Sequence, residues 1–148
     1  MAAPNILIID ARFYEDIADA LLEGATDVLE GAGARYTRIS VPGVLEIPAA
    51  LAMALAAMEN GTADYDGFVL LGCVIRGETS HYDIVANESA RAVMELVIDA
   101  ALPLGNAILT VENREQAMVR ADKTQKNKGG SAAQAALDMI KVRDELGV

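Results

Sequence analysis

Apolar positions along the chain switch between two spacings. Asn5 to Asp10 (NILIID) is an almost unbroken apolar run ending on an acid, the pattern of a short strand buried on both faces. From Asp16 to Gly33 the apolar residues Ile17, Leu21, Leu22, Val28 and Leu29 recur at near-helical spacing, and Gly31 and Gly33 supply stop signals. Arg35 to Val41 (RYTRISV) alternates β-branched and aromatic residues with polar ones until Pro42-Gly43 turns the chain. Pro48 to Asn60 opens with the residue tolerated in a first helical turn, continues with strong helix formers and closes at Asn60-Gly61. Gly67 to Ile75 (GFVLLGCVI) predicts a second fully apolar strand, followed by a helix from about Asp83 to Ala101 with His81 two residues before it. A short strand over Ala107 to Val111, a short helix over Glu115 to Ala121 and a last helix over Gly130 to Leu146, with Leu137, Ile140 and Val142 inward, complete the order.

Apolar strands alternating with helices predict parallel pairing through right-handed crossovers, hence an α/β three-layer sandwich. In such sheets ligands collect outside the carboxyl ends of the strands. The segments after the four strands therefore carry the candidate chemistry: Ala11 to Tyr14, Pro42 to Pro48, Arg76 to His81, and Glu112 onward.

Length and composition narrow the choice. A chain of 148 residues fits one domain, residues 1–148, around a single core. Hydrophobic residues make up 53% of it, yet no stretch approaches the ~20 apolar residues that span a bilayer. The alanine surplus allows close helix packing and hints that some helix surface is buried against other subunits. A net charge of −10 disfavours nucleic acid and anionic membrane as partners. One Cys excludes an intrachain disulfide, and the first residues carry no signal pattern, so a soluble cytoplasmic protein is expected. With a single His and a single Cys, no zinc-type ligand cluster is present, and no GxGxxG or P-loop pattern calls for a nucleotide; no cofactor and no metal are expected.

Each candidate residue has two readings. Arg76-Gly77-Glu78-Thr79-Ser80-His81 leads into a helix, whose N-terminus binds phosphate or another anion; alternatively Thr79 or Ser80 only caps that helix. His81, the lone histidine, is of the type that takes and returns a proton near neutral pH, or it is a surface residue. Phe13 can stack on a flat heterocycle or pack on the first helix. Glu46 can accept hydrogen bonds from a polyol or simply complement the dipole of the helix after it. Cys73 reads as a small buried hydrophobe rather than a nucleophile, which needs a lowered pKa and exposure. Arg120, Lys123, Lys126 and Lys128 make a basic patch able to pair with phosphate, or a solvated helix end.

Together, ARFY (11–14), VPGVLEIP (41–48), GCVIRGETSHYDIVANESARAV (72–93), PLGNAILTVENREQA (103–117) and NKGGSAA (127–133) resemble the lumazine synthase family, in order and along nearly the whole chain. The resemblance implies a flavodoxin-like fold with a four-stranded parallel sheet and active sites shared between neighbouring subunits of a homopentamer, with a larger shell left open. It implies the activity of a 6,7-dimethyl-8-ribityllumazine synthase, a transferase of riboflavin biosynthesis. Such an enzyme condenses 5-amino-6-(D-ribitylamino)uracil with 3,4-dihydroxy-2-butanone 4-phosphate, giving the lumazine, phosphate and water. Position by position, the resemblance makes Phe13 the stacking aromatic and Val44, Leu45 and Glu46 the ribityl-binding turn. Cys73, Val74 and Ile75 become the stretch that reads the pyrimidine edge through backbone groups, and Asn106 a backbone contact. Glu78 and Thr79 become the phosphate pair, His81 the proton-transfer residue and Arg120 the phosphate arginine of an adjacent subunit. Position 106 is often Phe in the family, and Tyr14 stands where Asn is common. ADKTQKNKGG replaces a more glycine-rich turn, whose shape changes unless Lys126 is left-handed; the pentamer is therefore expected over a sixty-subunit shell. The alternatives are a non-catalytic flavin- or lumazine-binding module, or a cysteine hydrolase using Cys73.

Overall fold

The strands order themselves by burial. In the computed structural model, which describes residues 2–148, four parallel strands form one sheet in the order β2-β1-β3-β4. The two central strands, β1 (Asn5–Ala11) and β3 (Gly67–Ile75), are the two continuous apolar runs, because a strand covered on both faces has no polar side to show. At the edges lie β2 (Arg35–Val41), exposed along most of its length, and β4 (Leu104–Val111), which alternates buried with more open positions.

Helices cover both faces. α1 (Glu15–Gly31), α4 (Arg114–Ala121) and α5 (Lys128–Leu146) pack with Ile6, Ile8, Val69 and Leu71 on one side. α2 (Ile47–Glu59) and α3 (His81–Ala100) pack with Leu7, Ile9, Phe68 and Leu70 on the other. The expected three-layer αβα sandwich of flavodoxin-like order is what the chain forms.

Several boundaries differ from the sequence reading, each for a physical reason. β4 begins at Leu104 instead of Ala107: Gly105 interrupts the apolar pattern because a Cβ there would lie 1.7 Å from the Ala132 carbonyl oxygen of α5. Glycine lets the helix backbone sit against the strand. α3 begins at His81 itself, so the histidine occupies the first helical turn rather than the loop two residues before it. α5 starts at Lys128, two residues earlier than expected; its cap is Asn127, whose Oδ1 accepts from the Gly130 N–H at 3.2 Å. The left-handed residue of that turn is Asn127 (φ 46°), not Lys126. Asparagine tolerates this conformation better than lysine. On α5, Leu137 is buried but Val142 is 40% exposed, and on α2 only Ile47, Leu51 and Ala54 are buried, with Met53 70% exposed. The all-round apolar character of α2 is thus not absorbed within the chain.

Candidate active site

Strand order reverses between β1 and β3, since β1 leads to β2 on one side and β3 to β4 on the other. Connections leaving in opposite directions open a crevice at that point, where ligands of such sheets bind. A cavity of about 490 Å³ lies there, built from three connections. Phe13 and Tyr14 come from the loop between β1 and α1; Gly43 to Glu46 from the turn between β2 and α2; Cys73, Val74, Ile75, Gly77 and Thr79 from the end of β3 and the loop into α3, and His81 from the first residue of α3. Tyr82 and Val85 of α3, which the sequence did not single out, complete the wall; Tyr82 lay in the quoted motif without chemistry attached.

Phe13 is 74% exposed, so it does not pack on α1 as in its ordinary reading. Its ring meets Tyr14 edge-on, with centroids 4.9 Å apart and planes at 81°. Tyr14 is backed by the Arg114 guanidinium, 5.6 Å from its ring centroid, and Arg114 is held by Asp16. Tyr14 therefore buttresses the exposed phenyl face. Opposite, Val44 to Glu46 form a single 3-10 turn after Gly43, with Val44 buried and Leu45 and Glu46 open. Glu46 sits at the N-cap position of α2 but makes no side-chain cap hydrogen bond, leaving its carboxylate free to face a ligand.

Cys73 is buried, and burial pushes its thiol from 9.0 up to about 11, with Arg114 pulling weakly the other way and Asp16 adding to the rise. A thiolate nucleophile is thereby disfavoured, which removes the hydrolase reading. After β3, Arg76 ties the loop down: its Nε donates to Glu112 Oε2 at 2.7 Å, its Nη1 to Asp83 Oδ1 at 3.4 Å, and its guanidinium lies 4.2 Å from the Tyr82 ring centroid. Thr79 and Ser80 do not cap α3 as simple N-caps do. Ser80 makes no side-chain cap bond, and Thr79 Oγ1 accepts from the His81 N–H at 3.3 Å. The Asp83 and Ile84 N–H groups donate to the Ser80 carbonyl at 3.1 and 3.4 Å, and the positive end of the helix dipole lies at the cavity rim. Glu78 lies exposed on the same loop, outside the cavity lining.

Asn106 and Arg120 are not in this cavity. They line a second one of about 370 Å³ along the outer edge of β4, with Lys128 and Ser131 of α5. Arg120 Nη1 donates to the Gln116 carbonyl at 3.0 Å, and Asn106 Oδ1 accepts from the Ile108 N–H at 2.8 Å. Of the basic patch, Lys123 is paired with Glu23 and Asp27, so Arg120 and Lys128 are the cations that meet in a concave site. Among the described residues, no group of three or more His, Cys, Asp or Glu is placed to hold a metal ion. Among the described residues, no helix is long and apolar enough to cross a membrane.

Fold and cavity together define a flavodoxin-like α/β protein with a cavity at the switch point of its sheet. The family described as 6,7-dimethyl-8-ribityllumazine synthase matches residues 3–144. The chain is 60% identical over 147 residues to a 6,7-dimethyl-8-ribityllumazine synthase of Agrobacterium fabrum, covering 99% of each chain. It is 62% identical over 143 residues to 6,7-dimethyl-8-ribityllumazine synthase 1 of Rhizobium meliloti, covering 97% of this chain and 94% of that one. A Bartonella tribocorum protein of the same name is 57% identical, over 97% of this chain and 93% of its own. This chain belongs to the 6,7-dimethyl-8-ribityllumazine synthase family.

Proposed function

We propose that the protein is a transferase that condenses 5-amino-6-(D-ribitylamino)uracil with 3,4-dihydroxy-2-butanone 4-phosphate to 6,7-dimethyl-8-ribityllumazine in riboflavin biosynthesis. One observation carries this: residues separated by almost 70 positions in the chain, from Phe13 to His81, converge on one cavity at the switch point, in a chain of this family. The binding-module alternative is disfavoured by relatives that are all named as synthases.

In this reading the pyrimidine ring stacks on Phe13, its edge hydrogen-bonds to the backbone of Cys73 to Ile75, and the ribityl hydroxyls reach the backbone of Val44 and Leu45 and the carboxylate of Glu46. The ketone phosphate sits by Glu78 and Thr79 at the start of α3. Its phosphate needs a cation, and Arg120 supplies it from a neighbouring copy of the chain, with Asn106 and Lys128 on the same surface. The amine of the pyrimidine attacks the ketone carbonyl and water leaves to form an imine; phosphate is then eliminated, the resulting enol becomes a ketone, and the ribityl-bearing amine closes the ring on that carbonyl with loss of a second water. Each step moves protons without an electron carrier, and His81 is the group placed to move them. Holding both reactants in line supplies much of the rate, since effective molarities of about 10⁵ M or more are attainable.

Support for a shared site comes from the separation of the two cavities and from apolar surface with no cover within the chain. Met53, Met94 and Ile98 are each more than half exposed on the α2–α3 side, the kind of patch that marks a protein interface. A homopentamer is the proposed assembly, acting on small molecules, with a reducing cytoplasm suited to the free thiol of Cys73. The test is to incubate the purified protein with both substrates, without added metal or nucleotide, and follow lumazine absorbance and fluorescence. Product formation is expected, unaffected by EDTA; binding of lumazine with no turnover would replace the enzyme by a binding module.

A further inference from the structure

Asp10 is the one charged side chain fully buried among the described residues, at 0% exposure. A carboxylate in such a place is costly unless paired, and the strand position would otherwise take an Ile or Val. Its partners come from two directions. Ser40 of β2, its register neighbour, donates from Oγ to Asp10 Oδ1 at 2.6 Å, and Arg38 Nη1 lies 3.8 Å from Oδ2. Arg12 donates from Nη1 to Oδ2 at 3.0 Å and also grips Asp19 of α1. The Arg12 N–H donates in turn to the Val41 carbonyl at 3.4 Å.

Arg12 is the residue before Phe13, and Ser40 and Val41 run into the Pro42–Glu46 turn. One buried carboxylate therefore fastens together the two loops that form opposite walls of the pyrimidine side of the cavity. We propose that Asp10 is a positioning residue of the active site, whose links to Arg12 and Ser40 fix the separation between the Phe13 ring and the Val44–Glu46 turn. The proposal rests on the assignment of those two walls to the pyrimidine substrate. Among the described residues, no side-chain hydrogen bond or ion pair joins the loop before α3 to this network. Asp10 touches neither substrate; it sets the width of the slot.

The test uses Arg12→Ala and Ser40→Ala, at half-buried and exposed positions, beside Asp10→Asn, which keeps an acceptor for Ser40 but removes the charge. Phe13→Ala is the reference. Steady-state KM for each substrate, equilibrium binding of the lumazine product by its fluorescence, and assembly mass by light scattering are measured for these four and for Arg12→Lys. Small misplacements of contact groups cost up to about a hundredfold, and Arg12→Ala is expected to raise the pyrimidine KM and the product Kd roughly tenfold. The ketone-phosphate KM and the mass stay unchanged, and Arg12→Lys recovers part of the loss. If Phe13→Ala weakens pyrimidine and product binding while Arg12→Ala and Ser40→Ala do not, the positioning role is wrong and the site assignment survives. Equal rises in both KM values, or loss of assembly, would likewise overturn it in favour of a purely structural role. If Phe13→Ala itself leaves both unaffected, the site assignment falls and the proposal falls with it.

Discussion

His81 and Cys73 line the same cavity yet have opposite chemical prospects. The imidazole is on the open rim at the start of α3, with no side-chain partner among the described residues, whereas the Cys73 thiol is buried and held neutral. General acid–base catalysis contributes typically 10²- to 10⁴-fold, so His81→Ala is expected to lower kcat by about that much without abolishing product formation. A variant with unchanged kcat would remove His81 from the mechanism. With a thiol near 11, about one Cys73 in a thousand is ionised at pH 8. Iodoacetamide should therefore leave activity largely intact over the time in which a free thiol reacts fully, and Cys73→Ser should retain most of it; rapid inactivation in parallel with alkylation would contradict this. The shift also sets a sign for stability. Between about pH 9 and 11 the unfolded chain loses the thiol proton while the folded one keeps it, so Cys73 contributes a fall in stability as pH rises through that window. Denaturant midpoints should converge or cross between the wild type and Cys73→Ser as that range is traversed. On the phosphate side, a charged hydrogen bond is worth about 1.5–3 kcal/mol, so Arg120→Ala should raise the ketone-phosphate KM roughly ten- to a hundredfold and the pyrimidine KM far less. Equal effects on both would make Arg120 structural.

At the scale of elements, glycines decide how closely the layers meet. Gly105 of β4 faces the α5 backbone at Ala132, and Gly129 of α5 faces that of α1 at Leu21, where added Cβ atoms would lie 1.7 and 2.1 Å from carbonyl oxygens. Overpacking of this kind costs typically 1–3 kcal/mol. Gly105→Ala is expected to lower Tm by several degrees, while Gly31→Ala, with nothing within 4 Å of the new methyl, leaves it level or raises it. Equal Tm values would show that β4 and α5 can separate at no cost. The same glycine explains what the sequence concealed. β1 and β3 were legible because burial on both faces makes them continuous apolar runs, and β2 because Pro42-Gly43 ends it, whereas Gly105-Asn106 breaks the apolar signature of β4 and hides its first turn of pairing. The start of α3 was hidden for a different reason: Ser80, one of the two cap candidates, holds the N-cap position without a side-chain cap bond, and the apolar periodicity begins only beyond His81. In the site, the motifs told that Phe13, Val44 to Glu46, Cys73 to Ile75, Thr79 and His81 gather, but not that Asn106 lies apart along β4 or that Asp10 ties two of the loops together underneath. An acid ending a strand reads as a solvated terminus, and its partner Ser40 is 30 residues away.

For the whole molecule, the separation of the two cavities matters most. Phe13 and His81 line the switch-point cavity, and Arg120, Asn106 and Lys128 line the one along β4; in the proposed ring, each site takes the first set from one copy and the second from the next. Light scattering should then give the mass of five chains and no active monomer; a mass near sixty chains would favour the shell instead. Sharing between copies has a sharper consequence. A His81→Ala chain keeps an intact Arg120 surface, and an Arg120→Ala chain keeps an intact switch-point cavity. Co-expressed in equal amounts and assembled at random, they should form unaltered sites at about one quarter of the interfaces, since each such interface needs one half from either chain. The decisive measurement is lumazine formation by that mixed assembly against each variant alone, with the ketone phosphate held well below its wild-type KM so that the Arg120→Ala chain is itself slow. Activity near a quarter of the wild type, well above the sum of the separate variants, is the predicted result; activity no greater than that sum would contradict a site built from two chains.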